Sequence, residues 1–106
     1  MIRMAFVMSV HPGSEEEYEA RHNPIWSELE ETFKDYGVSA YNIFLHTGTR
    51  QLFAYVEVED QAKWDAIAET SICRRWWTYM RELMPSNPDD SPVSEELREV
   101  FHIERT

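Results

Sequence analysis

The apolar residues of this chain change their spacing along its length in the order strand, helix, strand, strand, helix, loop, strand, and that order admits few folds. Met4, Phe6, Met8 and Val10 alternate with Ala5, Val7 and Ser9, an almost wholly apolar run that suits a strand covered on both faces. His11, Pro12 and Gly13 end it. Ser14 and Glu17 have the spacing of a capping box, so a helix is expected to start there. Ile25, Leu29 and Phe33 then recur every four residues while Glu28, Glu30, Glu31, Lys34 and Asp35 face elsewhere, which predicts an amphipathic helix stopped by Gly37. Tyr41, Ile43 and Leu45 mark a second strand, His46 to Arg50 a turn, and Leu52 to Val58 a third strand. Asp60 is expected to cap a helix carrying Trp64, Ile67 and Ala68, and Ser71 a further helix running through Trp76, Trp77 and Met80 to Leu83. Three prolines between Pro85 and Pro92 predict an irregular loop or crossing arm over residues 85–95, and Val100 to Ile103 is expected to form the last strand.

This order is the ferredoxin-like βαββαβ pattern, an α+β sandwich with an antiparallel sheet and helices on one face. The other face is left bare by residues not polar enough to meet water, so a face-to-face dimer (a dimeric α/β barrel) is expected. At 106 residues, 1–106 form one domain, with 104–106 read as a tail. A formal charge of -10 repels phosphate backbones and anionic lipid, so neither nucleic acid nor membrane is an expected partner. The single Cys73 cannot form an intrachain disulfide, and the apolar run at Met1 to Val10 is too short to span a bilayer and lacks a small-residue cleavage site. A cytoplasmic protein is expected.

The chemistry points to the stretch Tyr18-Glu-Ala-Arg-His-Asn-Pro-Ile-Trp26. Tyr18 and His22 share one face of a helix, while Pro24 lacks an N–H and pushes Asn23 out of helical geometry. A bend there opens a gap beside an imidazole able to exchange protons near neutral pH. Spacing alone favours a surface histidine at a kink. Trp76 and Trp77 point about 100° apart on a helix, so at least one must leave the centre of the buried stripe. An indole at a boundary offers a flat apolar face and one N–H donor, which suits a sugar as well as it suits core packing. Tyr41 lies on a strand face with Ile43 and Leu45. If the bend closes over that face, Tyr18, His22, Tyr41, Trp76 and Trp77 share a pocket that fits a small neutral polyol better than an anion.

Other chemistries find little support. His11, His22, His46 and His102 are too widely spaced for a zinc site, so no metal is expected. Gly13, Gly37 and Gly48 are too far apart for a phosphate loop, and no nucleotide cofactor is expected. The carboxylate runs read as solvated faces rather than a glycosidase pair.

Three segments, Arg21-His22-Asn23-Pro24-Ile25-Trp26, Cys73-Arg74-Arg75-Trp76-Trp77 and Met84-Pro85-Ser86-Asn87-Pro88-Asp89, resemble the L-rhamnose mutarotase family, and the similarity runs over nearly the whole chain. The resemblance implies a homodimer of ferredoxin-like subunits, no cofactor, and interconversion of the α and β anomers of L-rhamnose. It implies His22 as proton donor and Tyr18, Tyr41, Trp76 and Trp77 as sugar contacts. Ring opening needs a proton on the ring oxygen and loss of one from the anomeric hydroxyl. A tyrosine hydroxyl or a bound water can relay the second. Two other readings share such a pocket, a cofactor-free monooxygenase of the same fold and a non-catalytic sugar-binding module.

Overall fold

A computed structural model describes residues 1–105. Thr106, the last residue of the expected tail, lies outside the described residues. The elements are β1 (Ile2–Ser9), α1 (Glu15–Arg21), α2 (Ser27–Asp35), β2 (Val38–His46), β3 (Gln51–Val58), α3 (Gln61–Ile67), α4 (Ser71–Met80), a 3₁₀ turn (Arg81–Leu83) and β4 (Glu95–Leu97). The four strands form one antiparallel sheet in the order β2-β3-β1-β4, the ferredoxin-like arrangement expected from the sequence.

Register decides which side chains meet the helices. Met4, Phe6 and Met8 pair with Val56, Ala54 and Leu52, which pair in turn with Tyr41, Ile43 and Leu45. These residues share the helix-facing side, and the core gathers there around Leu29, Leu52, Ala54, Met80 and Met84. Leu29 is fully buried, and Ile25 and Phe33 pack beside it as the four-residue stripe requires. Gly37, at φ +83°, ends that segment in a left-handed conformation that a side chain would strain.

The opposite side carries Val7, Phe53, Phe44 and Leu97 with no layer over it. Phe44 is 65% exposed.

Three local expectations are corrected. Ser14 makes no side-chain cap, its backbone (φ -99°, ψ 3°) lying outside the extended geometry of a capping residue, and the Glu17 carboxylate of the expected box is drawn to Arg21, 2.7 Å away. Asp60 caps α3 as expected, accepting from the Lys63 N–H, but α4 is capped by Thr70 and not Ser71: the Thr70 hydroxyl accepts from the Cys73 N–H. The last strand is Glu95–Leu97 and not Val100 to Ile103. Pairing with Ala5, Phe6 and Val7 on the free edge of β1 selects those three residues despite their charge. Val100, Phe101 and Ile103 are left about four-fifths exposed, with no strand beside them. The preceding segment is irregular through Ser94, so the loop ends one residue before the expected boundary.

Candidate active site

The site forms where α1 breaks. Tyr18 and His22 lie one turn apart, their ring centroids 4.5 Å apart. His22 is the C-cap residue of α1, and after it Asn23 turns its side-chain N–H back to the Glu19 carbonyl. Pro24 has no N–H with which to carry the helix on, and regular structure resumes only at Ser27.

The imidazole has a defined tautomer. Its Nδ1 lies 2.7 Å from the Tyr18 carbonyl oxygen, which can only accept, so Nδ1 carries the hydrogen and Nε2 holds the lone pair. Burial lowers the His22 pKa below its ordinary value, against a smaller opposing effect of the Tyr18 carbonyl. At neutral pH the group is therefore a neutral base.

On the other wall, α4 presents the Trp76 indole edge-on to His22 at 5.2 Å. Trp76 is 8% exposed and Trp77 half-buried, so the boundary position forced by their adjacency falls to Trp77. Tyr41 is held from β2 by Phe33, Trp64 and Phe6, with centroids 5.3, 5.8 and 6.4 Å away. A cavity of about 570 Å³ brings together all five residues that the sequence singled out, Tyr18, His22, Tyr41, Trp76 and Trp77. That volume lies in the range typical of small-molecule sites, ~300–1,000 Å³.

The cavity is mostly apolar, with Gln61, Asp65, Asn87, Ser91, Ser94 and Glu96 also in its lining. Tyr18 and Tyr41 line it, and neither hydroxyl hydrogen-bonds a described residue. Burial raises the pKa of both, and for Tyr41 the nearby Tyr18 and Cys73 add to it. Both therefore stay neutral and able to donate. Burial also pushes the Cys73 thiol up to about 11, so it stays protonated in the cavity wall. Among the described residues, no three His, Cys, Asp or Glu side chains gather to hold a metal ion.

Phe33 and Trp64 are walls that the sequence did not single out. Each sits in a helical apolar stripe, and the stripe that feeds the core also faces the cavity, so spacing cannot separate the two uses.

A family model of L-rhamnose mutarotase matches residues 3–103. The chain belongs to the L-rhamnose mutarotase family. It is 64% identical over 104 residues to the L-rhamnose mutarotase of Opitutus terrae, covering 98% of this chain and 100% of that protein. The crystal structure of an L-rhamnose mutarotase from Formosa agariphila superposes with a TM-score of 0.90 at 40% identity, over 98% of this chain and 100% of that one. A solved antibiotic biosynthesis monooxygenase superposes with a TM-score of 0.63 at 14% identity, over 95% of this chain and 100% of that one, and shares the fold alone. Similarity to the mutarotases thus reaches past the fold to a family whose matched segment contains every residue of the cavity wall described above.

Proposed function

We propose that this chain interconverts the α and β anomers of L-rhamnose, with His22 Nε2 as the atom that exchanges the proton. Family membership supports the activity, and the bond from Nδ1 to the Tyr18 carbonyl supports the role, because it leaves Nε2 free with a lone pair. Nε2 first takes the proton of the anomeric hydroxyl. As C1=O1 forms, the C1–O5 pair leaves to the ring oxygen, and the imidazolium gives its proton to O5. The open aldehyde turns about C1–C2 and closes by the reverse steps. His22 is then the proton donor to the ring oxygen only after acting as base at O1. Because both oxygens are bonded to C1, one nitrogen can serve both.

The neutral Tyr18 and Tyr41 hydroxyls bind sugar oxygens, and Trp76 and Trp77 supply flat faces for its C–H groups. Apolar walls such as Phe6, Phe33 and Met80 suit the 6-methyl of a deoxysugar better than a 6-hydroxyl. The bare sheet face with Phe44, Phe53 and Leu97, and the exposed Phe101 and Ile103, support a homodimer, to be read as mass by light scattering. No described helix is long and apolar enough to cross a membrane, and a buried free thiol at Cys73 is in keeping with a reducing cytoplasmic location.

Anomer exchange followed by saturation-transfer NMR, with L-rhamnose and a panel of other aldoses, tests the reading. Exchange should be fastest for L-rhamnose and slower for sugars bearing a 6-hydroxyl. Binding without faster exchange would leave a sugar-binding module instead. The pH dependence has a fixed sign: the reacting form is neutral His22, whose pKa lies below its ordinary 6.5. kcat/KM should hold steady above about pH 6.5 and fall by about tenfold per unit once pH drops below the lowered pKa. A profile flat from pH 8 to pH 4 would assign the proton exchange to another group.

A further inference from the structure

We propose that Arg21 is a positioning residue for this reaction, tying the last turn of α1 to the end of α4 and so holding the His22 imidazole in place against Trp76. The proposal rests on the reading of His22 given above. All three guanidinium nitrogens are used: Nε donates to Glu17 Oε2 at 2.7 Å, Nη1 to the Tyr79 carbonyl at 2.6 Å, and Nη2 to Glu82 Oε1 at 2.7 Å. The guanidinium carbon also lies 4.2 Å from the centroid of the Tyr79 ring. With its side chain only 11% exposed, Arg21 is a packed element of this corner and not a surface charge.

Such a tie is needed because α1 is seven residues long, too short to hold its place by its own hydrogen bonds, and it ends at a break. The bond from Nδ1 to Tyr18 fixes the imidazole relative to α1. It does nothing to place α1 relative to α4, which carries Trp76 and Trp77. Arg21 makes that link directly from the residue preceding His22. On the far side of the break Trp26 stacks on the same Tyr79 ring at 5.1 Å and meets Trp76 edge-on at 5.1 Å. The two ends of the interrupted segment are thus fastened to one turn of α4, and His22 hangs between them.

The effect is geometric. The charged groups packed at this corner are Arg21 itself, Glu17 of α1 and Glu82 of the 3₁₀ turn, while α4 meets His22 with the uncharged Trp76. The causes acting on the His22 pKa are burial and the Tyr18 carbonyl. A lysine would keep the charge and lose the three-way fork, since one ammonium cannot reach both carboxylates and the carbonyl in the guanidinium's geometry.

Arg21→Gln and Arg21→Lys in the full chain, with Glu82→Gln as a milder break of one bond, test the role. The readouts are kcat and KM for anomer exchange, the His22 pKa by NMR titration, and thermal stability. Arg21→Gln should lower kcat by about 10- to 100-fold, the scale of a small misplacement of a reacting group, with KM changed far less. The His22 pKa should rise toward about 6.5 as the ring loses burial, carrying the acid limb of the kcat profile to higher pH. Arg21→Lys should fail to restore either, and Glu82→Gln should move both in the same direction by less. Wild-type kcat and pH profile in any folded Arg21 variant, with only a lower melting temperature, would overturn the proposal. If Arg21→Gln does not fold, Arg21→Lys and Glu82→Gln decide by the same readouts. Full activity in His22→Gln would sink the reading of His22 itself, an outcome separate from failure of the Arg21 variants alone.

Discussion

Two apolar surfaces of this molecule stand on opposite sides of the same sheet, and they differ in what accompanies the carbon. On the helix side, Phe6, Phe33, Trp64 and Trp76 line a cavity together with Tyr18 and Tyr41, whose hydroxyls have no hydrogen-bond partner among the described residues. On the other side Val7, Phe44, Phe53 and Leu97 lie flat and open, and Tyr55 already spends its hydroxyl on Glu57 at 3.0 Å. Concave apolar surface with unspent hydrogen-bonding groups suits a small polar ligand. Flat apolar surface with its polar groups already engaged suits another protein. Both are built from the same alternation on the same strands, so register alone assigns each residue to ligand or to partner.

The largest test of this division is to remove the base from one side and the fit from the other. His22→Ala should lower the anomer-exchange rate by about 10²- to 10⁴-fold, the usual contribution of a positioned acid-base group, while the mass in solution stays unchanged. Phe44→Glu should do the reverse. Phe44 is too exposed for its replacement to open a hole in the single chain. A carboxylate there should split the proposed dimer, seen as a halved mass by light scattering, with L-rhamnose still bound per chain. Loss of sugar binding in the monomeric variant would mean that the two surfaces are not independent.

A smaller effect separates the two tryptophans. Trp76 is buried against Trp26, His22 and Tyr79, so Trp76→Ala should cost about 3–5 kcal/mol of stability along with activity. Trp77 stands half-buried at the boundary. Trp77→Ala should raise KM for exchange by about tenfold, equivalent to about 1.4 kcal/mol, with a much smaller change in melting temperature. Equal losses of stability for the two would return Trp77 to the core.

Much of this arrangement was legible in the residues. The period-two run at Leu52 to Val58 and the four-residue stripe at Ile25, Leu29 and Phe33 became the elements they promised, since burial on one face enforces those spacings, while the almost wholly apolar run at Met4 to Val10 became a strand covered on one face and open on the side of Val7. Motif resemblance drew together Tyr18, His22, Tyr41, Trp76 and Trp77, and they do line one cavity. The losses came where two local partners compete. Glu17 had both Ser14 and Arg21 within reach, and the charge-assisted bond to Arg21 won over the cap. Thr70 and Ser71 are adjacent hydroxyls with the same capping chemistry, separated only by backbone angles. The final strand was hidden for a different reason: Glu95-Glu96-Leu97 reads as surface, and only the open edge of β1 turns it into a strand. The proton inventory of the imidazole was beyond sequence altogether, because it depends on one carbonyl lying 2.7 Å from Nδ1.

The smallest predicted effect is also the one that most closely probes why the cavity side differs from the flat side. The Tyr41 ring is clasped by Phe6, Phe33 and Trp64, while its hydroxyl gives no hydrogen bond to the described residues. Tyr41→Phe keeps every ring contact and removes only that hydroxyl. In the free protein nothing loses a partner, so the melting temperature should stay level or rise slightly. In the complex a sugar oxygen loses one hydrogen bond, worth about 1 kcal/mol, and KM should increase by about fivefold with little change in kcat. A fall in stability would instead mean that the hydroxyl belongs to the fold. The expected pair of results, weaker binding with no loss of stability, is what marks a polar group kept for a ligand, and a matching Tyr55→Phe on the flat side should leave exchange unchanged.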